Sequence, residues 1–423
     1  AKNALQYVQT SLEQSYGFSV SRRTYLDMVI QELKNQDRSF EYIIHENYMI
    51  VSDVGFLLED VVRNIVQGYQ GNYKGTYPEM FVDPSLSSDQ GNLYINGTQW
   101  GSFMRSVLAS QSKESIGLAR SMFFDASLSG NDLLLSGFVY PNEEQTIVST
   151  FRDQEPEPIG LLRMIPNNTA EVLHIGSSNL PKWYEHWSSL FQTSIKSHQN
   201  TLVQPQDIMM NTSREIGLAT LETVDPTISK RLLFLKLSDE AGMRNQLNRI
   251  AEAVSVTNND SVFVEDFSDY KIGMIEINEF PAALLGEHFT GFPASHYLFY
   301  MDYLVIASSD LTLKEWLNNI DSENTWGQTV DVNTFVAENL GEANLTQILS
   351  LNRSWNQLLA EFSPERQAVL KKNSNVLKQF DMMALQISNL ENKYYANLNW
   401  NYQAKKAPAP QELNLGDELL VHF

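Results

Sequence analysis

A chain of 423 residues with 43% hydrophobic and 11% aromatic content can bury one large core or the cores of two to three domains. Its 51 acidic against 30 basic residues leave a net charge of −21, and no run of Lys or Arg exceeds two, which disfavours nucleic acid and anionic membrane surfaces as partners. Without cysteine, disulfides, thiolate zinc sites, iron–sulfur clusters and thiol nucleophiles are excluded.

The sequence opens at Ala1 without a methionine and holds neither a bilayer-spanning apolar run nor a signal-peptide core, so a targeting segment is expected to have been removed. A short element at Tyr16–Val20 precedes a helix expected near Thr24–Leu33, with Leu26, Val29, Ile30 and Leu33 as its stripe. Tyr42–Ser52 reads as a hairpin turning at Glu46-Asn47, and Leu58, Val61, Val62 and Ile65 as the buried stripe of an amphipathic helix capped at Gly68. A second helix carries Trp100, Phe103, Met104 and Val107 behind the candidate cap Thr98, and a hairpin closes at Ser127–Tyr140.

Beyond a polar, proline-interrupted link at Arg152–Pro158, Ala170–Ile175 reads as a strand. It leads into a helix with Pro181 in its first turn and an apolar face of Trp183, Trp187, Leu190, Phe191 and Ile195. Strands are expected at Glu215–Thr223 and Arg231–Leu237, a helix at Glu240–Val254 and a hairpin at Ser261–Ile277. The last third returns to a hairpin at Tyr297–Ala307, a helix stripe of Leu313, Trp316, Leu317 and Ile320, and a helix with Trp355, Leu358, Leu359 and Phe362 behind Ser354 as a candidate cap. A final hairpin spans Leu385–Tyr402. Gln403–Gln411 reads as a stiff Ala/Pro linker, and Glu418–Phe423 as the first strand of a further domain.

Three of these elements repeat on one ungapped offset of 255 residues: Tyr42 falls on Tyr297, Leu58 on Leu313, and Trp100 on Trp355. The expected fold is α+β, built from internally duplicated hairpin–helix–helix–hairpin units whose mainly antiparallel sheet is covered by helices. Residues 1–155 form the first repeat, 156–402 a longer second repeat, and 403–423 the linker and first strand of a downstream domain.

The succession Leu133–Tyr140, Pro141-Asn142, Phe151–Pro156, Ile165–Ala170 and a strand ending in Gly176 resembles a family of Bacteroidota envelope proteins carrying a domain of unknown function. The resemblance covers roughly residues 40–402. It implies the hairpin-plus-helix unit present twice, an N-terminal membrane segment or signal ahead of it, often a β-propeller-like region behind it, and a periplasmic or cell-surface location. It carries over no catalytic residue, and the first copy departs from the pattern in lacking a clear equivalent of Ile165–Val254.

Local chemistry is sparse. Histidines 45, 174, 186, 198, 288, 296 and 422 show no pair at zinc-ligand spacing, and His45 and His174 read as ordinary strand residues. Glu185-His186 reads as the solvent side of a helix. Ser110-Gln-Ser-Lys113 has the spacing of a serine–lysine pair but none of the accompanying motifs, and Gly68–Thr76 lacks the ending of a phosphate loop. Asp266, Asp269 and Glu276 lack the alternation of a calcium loop and read as a solvated edge. Tyr394, Tyr395, Trp400 and Tyr402 with Asn397, Asn399 and Asn401 suggest an aromatic and amide face in the last hairpin, suited to stacking on a sugar or to packing beneath a neighbouring domain. No catalytic, cofactor-binding or metal-binding residue is singled out, and no cofactor is expected. The expected function is a non-catalytic interaction or scaffold module of a bacterial envelope protein, bound to an envelope partner or to its own downstream domain, with membrane contact only through a segment outside this chain. The alternatives are a small-ligand or glycan-binding module using the cleft between repeats and, behind it, a carboxylate-dependent hydrolase.

Overall fold

The computed structural model describes Thr10 and residues 17–36, 38–46, 48–68, 91–97, 117–130, 132–142, 146–198, 200–337 and 341–402. The helix expected at Trp100–Val107 with its cap Thr98, the Ser110–Lys113 pair and the segment 403–423 lie outside them. The chain divides into two compact units, Ala1–Val82 and Asp83–Phe423. The boundary expected near residue 155 falls inside the second unit.

In the first unit, β1 (Ser19–Tyr25), β2 (Met28–Lys34), β3 (Ser39–His45) and β4 (Tyr48–Ser52) form an antiparallel meander followed by α1 (Gly55–Gln67). Ile30 and Ile43 pack beneath Leu58 and Val62 of α1, and Phe18, Leu33 and Tyr42 cluster separately. Arg23 ties the unit together, its guanidinium reaching Glu32 at 3.1 Å and Glu41 and Glu59 at 2.6 Å, so one cation on β1 holds β2, β3 and α1. The helix expected at Thr24–Leu33 is instead the β1–β2 hairpin, turning at Leu26 and Asp27 with φ of 47° and 63°. Val29 and Ile30 are β-branched and point to opposite faces of the strand, Val29 exposed and Ile30 buried, where a helix would have placed both on one stripe.

Among the described residues, the second unit is built on a main sheet of thirteen strands, all antiparallel to their neighbours. In chain order they begin with β5 (Asn92–Asn96), β6 (Ser121–Ser129) and β7 (Asp132–Tyr140), and the short β8 (Glu157–Pro158) pairs outside the main sheet. There follow β9 (Thr169–Gly176), α2 (Leu180–Leu190), β10 (Thr212–Leu221), β11 (Arg231–Leu237), α3 (Glu240–Asn258), β12 (Val264–Phe267), β13 (Tyr270–Ile275), β14 (Ser295–Tyr300), β15 (Tyr303–Ala307) and α4 (Asp310–Asp321). The short β16 (Glu342–Ala343) is the partner of β8, and β17 (Leu345–Ser350), α5 (Leu351–Glu361), β18 (Phe380–Leu390) and β19 (Lys393–Tyr402) complete the unit. The spatial order is β12-β13-β14-β15-β11-β10-β9-β17-β18-β19-β7-β6-β5.

Both faces of the central strands are covered, which is why β11 reads Leu-Leu-Phe-Leu without alternation: each successive side chain enters one core or the other. On one face Ile216, Leu218, Leu233, Leu235, Leu304 and Ile306 meet α2 and α3. Asn179 caps α2 by accepting from the Lys182 amide at 3.1 Å, and the Trp183 and Trp187 rings, one turn apart, meet in a tilted contact with centroids at 4.9 Å. On the other face Ala219, Phe234 and Val305 meet Leu313, Trp316 and Leu317 of α4, whose first turn is capped by Ser309. The Trp316 indole donates to the Met164 carbonyl at 2.8 Å. Ser354, expected as a cap, lies inside α5 and donates back to the Ser350 carbonyl at 2.8 Å, while Ser350 occupies the capping position.

The hairpins β3–β4 and β14–β15 have one register. Tyr42 opposes Val51 as Tyr297 opposes Ile306, and His45 opposes Tyr48 as Tyr300 opposes Tyr303, each pair of numbers 255 apart. Each turns through a residue of positive φ, Glu46 at 53° and Met301 at 50°. Each is followed by a helix, and the helices start at Gly55 and Asp310, again 255 apart. Two three-strand meanders, β5-β6-β7 and β17-β18-β19, meet edge to edge where β7 pairs with β19.

Replacing Trp316 by alanine removes a fully buried indole and orphans a carbonyl, and is expected to lower the unfolding free energy by about 3–5 kcal/mol in urea titration. Leu311→Ala, on the exposed side of the same helix, is expected to change it by less than about 0.5 kcal/mol.

Candidate functional site

The registers place a line of polar residues straight across one face of the large sheet. Gly217 of β10 opposes His174 of β9, His174 opposes Thr346 of β17, and Thr346 opposes Gln386 of β18. Gln386 then opposes Asn397 of β19, which opposes Ser136 of β7, Asp125 of β6 and finally Asn92 of β5. Because alternate residues share a face, neighbours in this line stand about 5 Å apart and form a continuous polar row. The row is buried at His174, Thr346 and Gln386, half-buried from Asn397 to Asp125, and exposed at Asn92.

Beside it on the same face runs an aromatic row. Tyr395 of β19 opposes Phe138 of β7, Phe138 opposes Phe123 of β6, and Phe123 opposes Tyr94 of β5. Tyr395 and Phe138 are in ring contact at 4.8 Å. All four are half-buried. In this part of the sheet, Asp125 Oδ1 on β6 and Asn399 Oδ1, two strands away on β19, are buried acceptors that meet no donor among the described residues. Buried acceptors of this kind are costly, by about 1–3 kcal/mol each, and call for a hydrogen-bond donor.

The aromatic and amide face expected from the last hairpin is thereby corrected. Tyr394, Trp400 and Tyr402 point to the opposite side of β19 from Asn397, Asn399 and Asn401, since they differ by an odd number of residues. Tyr394 joins the α2–α3 core, and Trp400 and Tyr402 contact Phe380 at 5.2 and 5.1 Å. Only Tyr395 shares the amide face, and its aromatic neighbours come from other strands.

At its buried end the polar row meets a carboxylate. Glu215, 2% exposed, accepts from the Gly160 amide at 2.7 Å, the Leu161 amide at 3.2 Å and the Tyr303 hydroxyl. His174 Nε2 lies 3.1 Å from Oε1, at ion-pair distance but short of hydrogen-bond geometry. Burial pushes the carboxyl up, and His174, Tyr303 and Gly160 together outweigh it, holding the group below the ordinary carboxylate range. Burial, then the Glu215 charge, pushes the Tyr303 hydroxyl far up and keeps it a donor. A Cβ on Gly160 would come within 2.9 Å of Glu215 Oε2 and 3.1 Å of the Tyr303 hydroxyl, so only glycine lets the backbone approach.

This cluster could supply an acid and a base, yet Glu215, His174 and Tyr303 are 2%, 0% and 4% exposed, and a catalytic group must reach substrate. It is a sealed structural node. His174 was legible as a strand residue, but its partners at positions 160, 215 and 303 are joined only by the fold. The one signal was a lone Glu leading the apolar run Ile216–Leu221.

The other sequence candidates remain apart. Glu185 is exposed and His186 half-buried on α2. Asp266 pairs with Lys271 at 3.4 Å across the β12–β13 hairpin, and Glu276 accepts from Asn258 at 3.1 Å. Among the described residues no three His, Asp or Glu side chains converge. An open cavity of about 730 Å³ beside α4 is lined by Lys230, Lys314 and Glu315, but its charges are already spent: Lys230 meets Glu315 at 2.7 Å and Lys314 meets Glu265 at 2.8 Å. No family model, curated protein or solved structure matches this chain.

Glu215→Ala leaves the part-buried Gly160 amide, the buried Leu161 amide and the buried Tyr303 hydroxyl without an acceptor and is expected to cost about 3–5 kcal/mol of stability. Because the folded carboxyl lies below its unfolded value, its stabilisation is complete above pH of about 4.3 and is lost as pH falls through the folded value. Chemical denaturation between pH 3 and 7 checks this, with Glu215→Gln expected to flatten the acid limb of the profile.

Proposed function

We propose that this chain is a non-catalytic binding module, that it works outside the cytoplasm as part of a bacterial envelope protein, and that it recognises its ligand through the paired rows of the large sheet. The observation that carries the reading is the adjacency of the aromatic row Tyr395, Phe138, Phe123 and Tyr94 to the polar row Asn397, Ser136, Asp125 and Asn92. Aromatic rings stack on the apolar face of a sugar, while amides and a carboxylate receive and donate hydrogen bonds at its hydroxyls. The half-buried Asn397, Ser136 and Asp125 and the exposed Asn92 offer amides, a hydroxyl and a carboxylate to the hydroxyls of such a ligand. A glycan or similarly flat polyhydroxylated molecule is therefore the ligand class.

Two further points belong to this reading. The shared registers at an offset of 255 support descent of the two hairpin–helix segments from one duplicated unit. The net charge of −21 keeps the module soluble and repels nucleic acid. Sealing of the Glu215 cluster speaks against turnover.

Glycan-array screening followed by titration calorimetry tests the proposal. The full chain is expected to retain a defined glycan set, with Phe138→Ala and Asn397→Ala each weakening binding at least tenfold while the fold is kept. A reproducible protein partner with no glycan retained would replace the ligand class and leave an interaction module. Hydrolysis of any bound glycan, abolished by a single carboxylate substitution, would overturn the non-catalytic reading.

A further inference from the structure

The edge strand β4 carries apolar side chains that its counterpart in the second unit buries. Among the described residues, β4 pairs on one side with β3 and on the other with no strand. Its counterpart β15 pairs on that other side with β11, Leu232 opposing Ala307, Leu233 Ile306, Phe234 Val305, Leu235 Leu304 and Lys236 Tyr303. Shifted by 255, the same five places on β4 are Ser52, Val51, Ile50, Met49 and Tyr48. Tyr303, Leu304 and Ile306 are 4%, 0% and 1% exposed, whereas Tyr48, Met49 and Val51 are 70%, 46% and 53% exposed. Ile44 and Val29, on the same face as Met49 and Val51, are also exposed. A flat apolar edge with open backbone groups is a template for strand addition.

We propose that β4 receives an added antiparallel strand donated by a partner protein, an extended apolar segment flanked by basic residues. The flanking charge follows from the acids at the two ends of β4, because the place of Asp302 itself falls on the neutral Asn47. On β15 the incoming strand is framed by Arg231 and Lys236, and the Lys236 ammonium sits 5.5 Å above the Tyr303 ring and 3.7 Å from Asp302. On β4 the matching ring is Tyr48, and the carboxylates of Glu46 and Asp53 stand at the two ends of the strand. A basic-flanked strand therefore finds an acid at each end of its track and a ring at the Tyr48 end. A second copy of this chain fits less well: antiparallel pairing about Ile50 would set Glu46 of each copy close to Asp53 of the other, on chains that already carry −21. The inference is independent of the ligand proposed for the large sheet and rests instead on the register shared by the β3–β4 and β14–β15 hairpins.

The experiment uses the full chain and, as probe, a synthetic peptide with the sequence of Lys230–Ser238. Hydrogen exchange followed by mass spectrometry is expected to show slowed exchange confined to residues 48–52 on saturable peptide binding, and a peptide with proline in place of the central Phe is expected to give none. Met49→Lys and Val51→Lys, both at exposed positions, are expected to leave the unfolding midpoint unchanged and to weaken peptide binding at least tenfold. The proposal fails if saturating peptide leaves residues 48–52 unprotected, if the proline peptide binds equally, or if these residues become protected with rising protein concentration alone, which would mark a second copy as the occupant.

Discussion

A carboxylate placed inside a packed sheet has to be met on every side, and in the second unit that requirement falls on Glu215. Its acceptors take two amides of the 160–161 turn and the hydroxyl of Tyr303, with His174 alongside. One side chain thus fixes the turn entering β9, the register of β9 against β10, and the place of β15 two strands away. Breaking any of these would strand a buried charge, an expense of several kcal/mol that no local rearrangement recovers. The apolar cores on either side supply most of the driving force for folding, but they tolerate sliding in a way that a buried carboxylate held by three donors does not.

Much of the element inventory was legible in the sequence because it is local. The hairpins at Tyr42–Ser52, Tyr297–Ala307 and Leu385–Tyr402, the helix entered through Asn179 and Pro181, and the Gly68 cap follow from turn chemistry and apolar period. Leu26-Asp27 was misleading because Leu26 rarely takes a positive φ and fits an apolar period, so a hairpin strand with Val29 and Ile30 passed for a helical stripe despite the turn-prone Asp27. Ser354 was misleading because the helix begins one turn earlier, with Ser350 at the N-cap position.

The face with the paired rows was beyond the reach of spacing. Asn397 and Tyr395 lie two residues apart and could be grouped, but Phe138, Phe123 and Tyr94 reach them only through the pairing of β19 with β7, and Glu215 meets Tyr303 across 88 residues. Such rows are products of register, and register between distant strands is decided by the whole sheet. The same pairing joins strands on both sides of residue 155, so the β6–β7 hairpin expected to close one repeat shares a continuous sheet with the hairpin that closes the other.

The seam between β7 and β19 also imposes an order of events on folding. Asn401 meets Asp132 across a separation of 269 residues, so when the β6–β7 hairpin leaves the ribosome its partner strand has not yet been made. At about 5–20 residues per second, the outer edge of β7 waits on the order of ten seconds or more for β19. During that interval the meander of β5, β6 and β7 is an unfinished sheet with an open edge, while β9 through β15 can pair among themselves as they emerge. Closure must then come across a long loop, and the entropy of that loop slows pairing at this seam relative to the local hairpins.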